Sequence, residues 1–329
     1  MRTTMPEPIL EFGRSADSAL RRAGGIDLAR RAEGDDAAAE AARDALGQVG
    51  MYDLDVRADL DSATAAAELC RVAGTHMAPC PVAGIVLRDT EDRPFALVAA
   101  DHPVIDHARA APSWRAATLS GEVFEAKAGH GTGSNLAPFA MRMDLTRLDG
   151  VRAPAKDVEL ALVLGAFHLL GTGQRAFELA VRHTRERAQF GHALSDFQVI
   201  RHGMADLSVG LEGLALACRY ALWHLFTEPA DSRAHALAAR YEAQRVVRQV
   251  LRLSQQFHGA SGLADEYDIS VLVRHAQPAL RLPTDLTATT GRLRAAIEEH
   301  GFGGPFAPEP GPPAHRAEAG AGTTVKERQ

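Results

Sequence analysis

The stretch Arg187-Ala188-Gln189-Phe190-Gly191-His192-Ala193-Leu194-Ser195-Asp196-Phe197-Gln198 joins two long amphipathic segments. Upstream, Leu160, Val163, Leu164, Phe167, Leu170, Phe177, Ala180 and Val181 recur at the spacing of one helix face. Downstream, Ile200, Met204, Leu207, Leu211, Leu214, Leu222 and Leu225 do the same between Val199 and Phe226. Glycine closes a helix without steric cost and a serine hydroxyl caps the next, so Gly191 is expected to end the first helix and Ser195 to open the second. Ser195-Asp196-Phe197-Gln198 has the form of a capping box, with Gln198 reaching back to the Ser195 amide. The expectation is a helical hairpin in which Arg187 and Phe190, three residues apart, share a helix face.

Working outward, Ser232 to Phe257 carries Ala236, Leu237, Ala243, Val246, Val247, Val250, Leu251 and Leu253 on one side and stops at His258-Gly259. A shorter helix is expected from Ile269 to Gln277, ahead of Pro278 and Pro283, and a last one from about Thr284 to His300. Residues 152–302 therefore read as an antiparallel four-helix-type bundle. Before it, 92–151 changes texture. Phe95–Ala99, Arg115–Leu119 and Glu122–Glu125 are short and strand-like, separated by Gly, Pro, Asn and Asp, which indicates a small β region. Residues 1–91 are again helical, with segments near Ser18–Arg31, Asp36–Val49 and Asp61–His76. Asp61 and Ser62 offer caps, Gly24-Gly25 and Gly50 punctuate the run, and Pro79 and Pro81 end it. From 303 to 329 the chain is Gly, Pro, Ala and charge without periodicity, and is expected to be disordered. The fold class is mainly α.

Composition narrows the function. With 329 residues there is room for about two domains and a substantial core. A net charge of -6 supplies no attraction for nucleic acid or an anionic membrane. No apolar run approaches ~18 residues, and Met1 to Leu10 lacks a basic segment followed by an apolar one, so neither a membrane span nor a signal peptide is expected. Cys70, Cys80 and Cys218 are scattered, as in a protein of the reducing cytoplasm. Gly129-His130-Gly131-Thr132-Gly133-Ser134-Asn135 has no strand-loop-helix around it and reads as a surface turn. His183, His192 and His202 lack a convergent spacing with acids, and His168 sits on an otherwise apolar helix, so no metal site is expected.

Arg187, Phe190-Gly191 and Phe197-Gln198 together resemble the "R-x-x-F-G … F-Q" signature of the acyl-CoA dehydrogenases, at that family's relative spacing. Gln256-Phe257-His258-Gly259-Ala260-Ser261-Gly262 resembles its "Q-x-h-G-G-x-G" segment, with Ala260 in place of the second glycine. Thr118-Leu119-Ser120-Gly121-Glu122 is similar to one of its strand-turn segments. The resemblance implies FAD as cofactor. Arg187 would bond the pyrophosphate of FAD held mainly by a neighbouring subunit, with Phe190 packed beside it. Gln198, Gln256 and Gly259 would complete the contact.

The departures matter as much. Residues 92–151 are shorter than the family's β domain and contain neither a Thr-Glu-Pro-x-x-Gly-Ser-Asp-like segment nor a tryptophan-centred flavin strand. The family's two positions for the catalytic glutamate fall at Ala161 and Pro283. Glu159 is two residues, a rotation of about 200°, from the first, and Asp285 suits the first turn of the last helix. The resemblance thus points to the non-catalytic subunit of a heteromeric, α2β2 acyl-CoA dehydrogenase of the actinobacterial steroid type. The partner would supply the base and bind most of the acyl-CoA. Two alternatives stand beside it: a self-sufficient dehydrogenase using Asp285 or Glu159, and a flavin-free helical scaffold.

Overall fold

Alanine, leucine and arginine favour helix, and the first part of the chain folds into α1 (Glu7–Ala23), α2 (Asp27–Ala32), α3 (Asp36–Gly47), α4 (Leu60–His76) and α5 (Val82–Val86). The computed structural model describes residues 5–129, 139–227 and 231–303. The expected Ser18–Arg31 helix is instead the end of α1 and most of α2, because Gly24 and Gly25 adopt φ of 133° and 59° between them. The cap of α4 is Asp59, whose carboxylate accepts the Ser62 amide at 2.7 Å, rather than Asp61 or Ser62.

Five strands follow: β1 (Phe95–Leu97), β2 (Val104–Ile105), β3 (Ser113–Ala117), β4 (Glu122–Ala128) and β5 (Met141–Arg152), in one sheet of order β1-β3-β4-β5-β2. β1 runs parallel to β3 with Phe95 opposite Arg115, while β3–β4 and β4–β5 are antiparallel. Val98, Ile105, Trp114, Phe124 and Met143 bury a small core of their own against this sheet. β5 has no counterpart in the sequence reading. Most of its residues are exposed and many are charged, so apolar alternation never develops, and pairing with β4 is what orders it. Of the Gly129–Asn135 turn, all but Gly129 lies outside the described residues, as does the tail beyond Gly303.

The remainder is α6 (Ala155–Glu186), β6 (Ala188–Gln189), β7 (His192–Ala193), α7 (Gln198–Thr227), α8 (Ser232–His258), α9 (Asp268–Arg281) and α10 (Leu286–His300). α6 is the axis of the molecule and packs on α4, α7, α8 and α9. Leu160, Val163, Leu164, Phe167 and Leu170 on it are all buried, each contributing roughly 1.5–3 kcal/mol. α9 passes through Pro278 instead of stopping before it. Proline there forfeits one N–H near the helix end, and the Leu282 amide still closes on the Pro278 carbonyl at 2.8 Å.

Two contacts hold the N-terminal helices to this axis. α4 and α6 cross backbone to backbone: a Cβ on Gly171 would lie 1.8 Å from the Arg71 carbonyl oxygen, and one on Gly74 would lie 2.0 Å from that of His168. Arg57 bonds both carboxylate oxygens of Asp157, at 2.8 and 3.2 Å, and the Leu87 carbonyl at 2.8 Å. Asp157 is buried, so the bidentate pair compensates a charge that would be costly alone.

Candidate cofactor end of the bundle and the cavity beside it

α6 ends at Glu186, and Arg187 has extended backbone, so Arg187 and Phe190 do not share a helix face. The connection is a two-residue β-hairpin. Ala188 pairs with Ala193 and Gln189 with His192, and Phe190 and Gly191 take φ of 54° and 81° at its tip. Two successive left-handed residues match the twist of the flanking strands. Gly191 therefore turns the hairpin rather than ending a helix. The Ser195–Gln198 capping box also does not form. The Ala193 amide donates to Asp196 at 3.2 Å, and Gln198 is the first residue of α7, free of the cap and exposed.

The hairpin sits beside the C-terminal end of α8. His183, on the last turn of α6, stacks on His258 at 4.3 Å between ring centroids, which holds the two helix ends together. Across them, a Cβ on Gly203 of α7 would lie 3.0 Å from the Phe257 ring. Arg187, Phe190, Gln198, Gln256 and Gly259 thus occupy one end of the bundle, and all five are exposed. Phe190 is 88% exposed, Val199 78% and Leu263 74%. Gly259, at φ 61°, terminates α8, and its amide returns to the Gln256 carbonyl. Gly262 is needed for space, since a Cβ there would lie 2.6 Å from the Gln255 carbonyl oxygen. Ala260, the departure from the resembled segment, is exposed.

The donor set at this end suits a dinucleotide: a guanidinium with no ion pair among the described residues, two amide side chains, an aromatic ring and a glycine helix end. An arginine left unpaired in its own chain can present its fork to a phosphate.

A cavity of about 190 Å³ lies where α5, β1, α6, α8 and the α9–α10 connection meet. Both expected base positions, Ala161 and Pro283, line it. Glu159 and Asp285 do not. Glu159 is buried and accepts the Ser232 hydroxyl at 2.7 Å, and burial raises its pKa. Asp285 caps α10 by accepting the Ala288 amide at 2.9 Å. Replacing Glu159 by glutamine and Asp285 by asparagine keeps both hydrogen bonds, and turnover by an assembled complex is expected to change by less than about twofold. A fall of a hundredfold or more in kcat, the scale of a lost general base, would identify a carboxylate catalyst.

The same cavity holds three further polar groups, of which Asp106 and His107 had no sequence signal and His168 was read as carrying no metal. Asp106 follows β2, His107 is beside it, and His168 projects from α6. Enclosure by protein pushes the Asp106 carboxyl up to about 6 and both imidazoles down to about 4. His107 stacks on Phe139 at 4.8 Å, and Phe139 meets His275 edge-on. Arg240 also lines the cavity and donates to the Leu282 carbonyl at 2.8 Å. Asp106 and His168 are 62 positions apart by number, on a loop and a helix, so no local period links them.

Residues 150–280 match the acyl-CoA dehydrogenase C-terminal domain. That stretch is similar to the C-terminal domain of the acyl-CoA dehydrogenases and covers less than half of the chain. Curated relatives include acyl-CoA dehydrogenase IpdE2 of Mycolicibacterium smegmatis, 31% identical over 42% of this chain and 43% of the relative. IpdE2 of Mycobacterium tuberculosis is 26% identical over 43% of this chain and 42% of the relative. The match thus spans less than half the length of either relative. Solved structures agree on the fold over nearly the whole chain. The ChsE4-ChsE5 complex of Mycobacterium tuberculosis superposes with a TM-score of 0.74, at 18% identity, over 91% of this chain and 99% of that one. The Tcur3481-Tcur3483 steroid ACAD superposes at 0.73, with 19% identity, over 89% and 98%. At such identities these two likenesses establish architecture alone. No helix among the described residues is long and apolar enough to cross a membrane.

Proposed function

We propose that this chain is the non-catalytic subunit of a heteromeric, FAD-dependent acyl-CoA dehydrogenase of α2β2 composition, acting in the cytoplasm. The complex would desaturate the α,β-bond of a CoA thioester with a steroid-derived acyl group. The observation that carries the reading is the pairing of an exposed, dinucleotide-suited bundle end with a cavity whose two base positions hold Ala161 and Pro283. The family's cofactor supplies acceptance of a hydride from the substrate β-carbon when bound. Toward it, Arg187 would neutralise pyrophosphate charge, Phe190 would cover an apolar face, and Gln198 and Gln256 would donate amide hydrogen bonds. Gly259 would leave room for close backbone approach. The partner would contribute the glutamate and most of the acyl pocket. A cavity of about 190 Å³ is below the roughly 300–1,000 Å³ of most ligand sites, which fits a subunit whose own pocket has closed. Likeness to a ChsE4-ChsE5 complex and to a steroid ACAD of two named components supports the heteromer and the substrate class.

The isolated chain is expected to purify with little or no flavin and no dehydrogenase activity, and to form a yellow, active complex when co-expressed with its catalytic partner. Absorbance spectra and turnover of both preparations test this. Stoichiometric flavin with turnover in the isolated chain would overturn it. A complex that forms yet stays colourless would favour a flavin-free scaffold.

A second reading rests on Asp106, whose carboxyl, raised to about 6, is tuned for proton abstraction near neutral pH. It makes the chain its own catalyst. Under it, the isolated protein is active and Asp106→Asn abolishes that activity, whereas the favoured reading requires that the partner's carboxylate alone be essential.

A further inference from the structure

We propose that His224, Asp231 and His235 form a binding site for one divalent transition-metal ion, zinc by preference, where the last residues of α7 lie beside the first of α8. His224 lies near the C-terminus of α7, Asp231 immediately precedes α8, and His235 lies in its first turn.

His224 Nε2 is 3.0 Å from Asp231 Oδ1, and His235 Nε2 is 3.4 Å from Asp231 Oδ2. Two atoms bound to one tetrahedral zinc at about 2.0–2.2 Å stand roughly 3.3–3.5 Å apart. Both separations are close to those of neighbouring ligands. All three donor atoms fall within 4.8 Å of one another. The rings are tilted by 40° with centroids 4.2 Å apart, so the two Nε2 atoms face a common carboxylate rather than stacking away from it.

Donor type selects the ion. Two imidazole nitrogens and one carboxylate oxygen suit zinc and its transition-metal neighbours, whereas calcium and magnesium take oxygen donors. Three protein ligands leave one tetrahedral position for water. Both imidazoles are buried, at 2% and 3% exposure, which sets them apart from the exposed histidines that bind metal adventitiously.

The surroundings hold the ligands in place. Gly303 donates its amide to Asp231 Oδ2 at 2.9 Å, Phe302 stacks on His235 at 4.5 Å, and Tyr220 meets the same ring edge-on at 5.0 Å. Outer contacts of this kind fix ring orientation in metal sites. A bound ion would thereby fasten the end of α7 and the start of α8 to the segment that leaves α10. A carboxylate lying between two imidazoles uses the same atoms without metal, and the experiment separates the two.

The full chain, stripped with a chelator and returned to metal-free buffer, is titrated calorimetrically with zinc chloride. The expected result is one ion per chain with a dissociation constant at or below about 1 μM and a higher thermal midpoint. His235→Gln is expected to weaken binding by about 100-fold or more, while His102→Gln, on the exposed β side, leaves it unchanged. Because substitution at a buried site can disturb folding, cobalt added to the unmodified chain supplies a second measurement: tetrahedral ligand-field bands should saturate at one equivalent. Absence of stoichiometric zinc binding, octahedral cobalt spectra, or unchanged affinity in folded His235→Gln would each show a hydrogen-bonded triad and no metal site.

Discussion

Replacing Arg187 by alanine is expected to weaken FAD binding to the assembled complex by about one to two orders of magnitude. Arg187 stands where α6 gives way to the β-hairpin, its carbonyl accepting the Leu194 amide at 2.8 Å, while its side chain is exposed and has no ion pair among the described residues. The backbone is thus held and the guanidinium is available. A hydrogen bond to a charged group contributes roughly 1.5–3 kcal/mol, and each 1.4 kcal/mol is tenfold in affinity. Lysine keeps the charge and loses the planar fork, so Arg187→Lys should recover only part of the loss. Assembly should be unaffected, since one polar contact is small beside the area of a stable interface. Fluorescence titration of FAD into deflavinated complex measures the effect, with size-exclusion chromatography as the assembly control. Equal affinity in the alanine variant would remove Arg187 from the cofactor site.

The second large effect concerns stability. In an ordinary helix, alanine in place of glycine stabilises by about 0.8–1 kcal/mol. At Gly171 the sign is expected to reverse, with a loss of about 3 kcal/mol or more. The added methyl would lie 1.8 Å from the Arg71 carbonyl oxygen, a backbone atom of α4 that no rotamer change can move. Overpacking typically costs 1–3 kcal/mol and sometimes more. Here, separating the helices also strains the Thr172 hydroxyl contact to the Gly74 carbonyl, at 3.3 Å, and the buried packing around Leu69 and Leu170. Gly165, on the same helix, has open space where its Cβ would stand, so Gly165→Ala should be neutral or mildly stabilising. Urea midpoints of the two variants decide the matter. A Gly171→Ala chain as stable as the parent would mean that α4 and α6 do not approach this closely.

The hairpin shows why one part of the site was legible and another was not. Arg187, Phe190, Gln198, Gln256 and Gly259 could be singled out because side-chain identity and spacing are linear properties of the chain. Their local conformation was read differently, as a helix face and a capping box. Phe190-Gly191 instead forms a left-handed pair that folds two short strands back on each other. A phenylalanine at positive φ is unfavourable in isolation, so local preference argued against the conformation that the two flanking helices impose. Pro278 is similar: local chemistry argues for a helix stop, and packing of α9 on α6 and α8 carries the helix past it.

By itself the sequence determined the helical segments, their buried faces and the β texture between them, because a 3.6-residue period is written into consecutive positions. It also carried the expectation, from resemblance, that Ala161 and Pro283 would stand where a catalytic glutamate is sought. Only the tertiary structure decided what else shares that cavity. Asp106 from the loop after β2, His168 from α6 and Arg240 from α8 meet there because α6 packs on α8 and crosses α4 at glycine-to-backbone distance. The same holds for His224, Asp231 and His235, which meet where the last residues of α7 lie beside the first of α8. Such meetings depend on crossing angles and contact distances summed over whole helices, and no local spacing of residues records them.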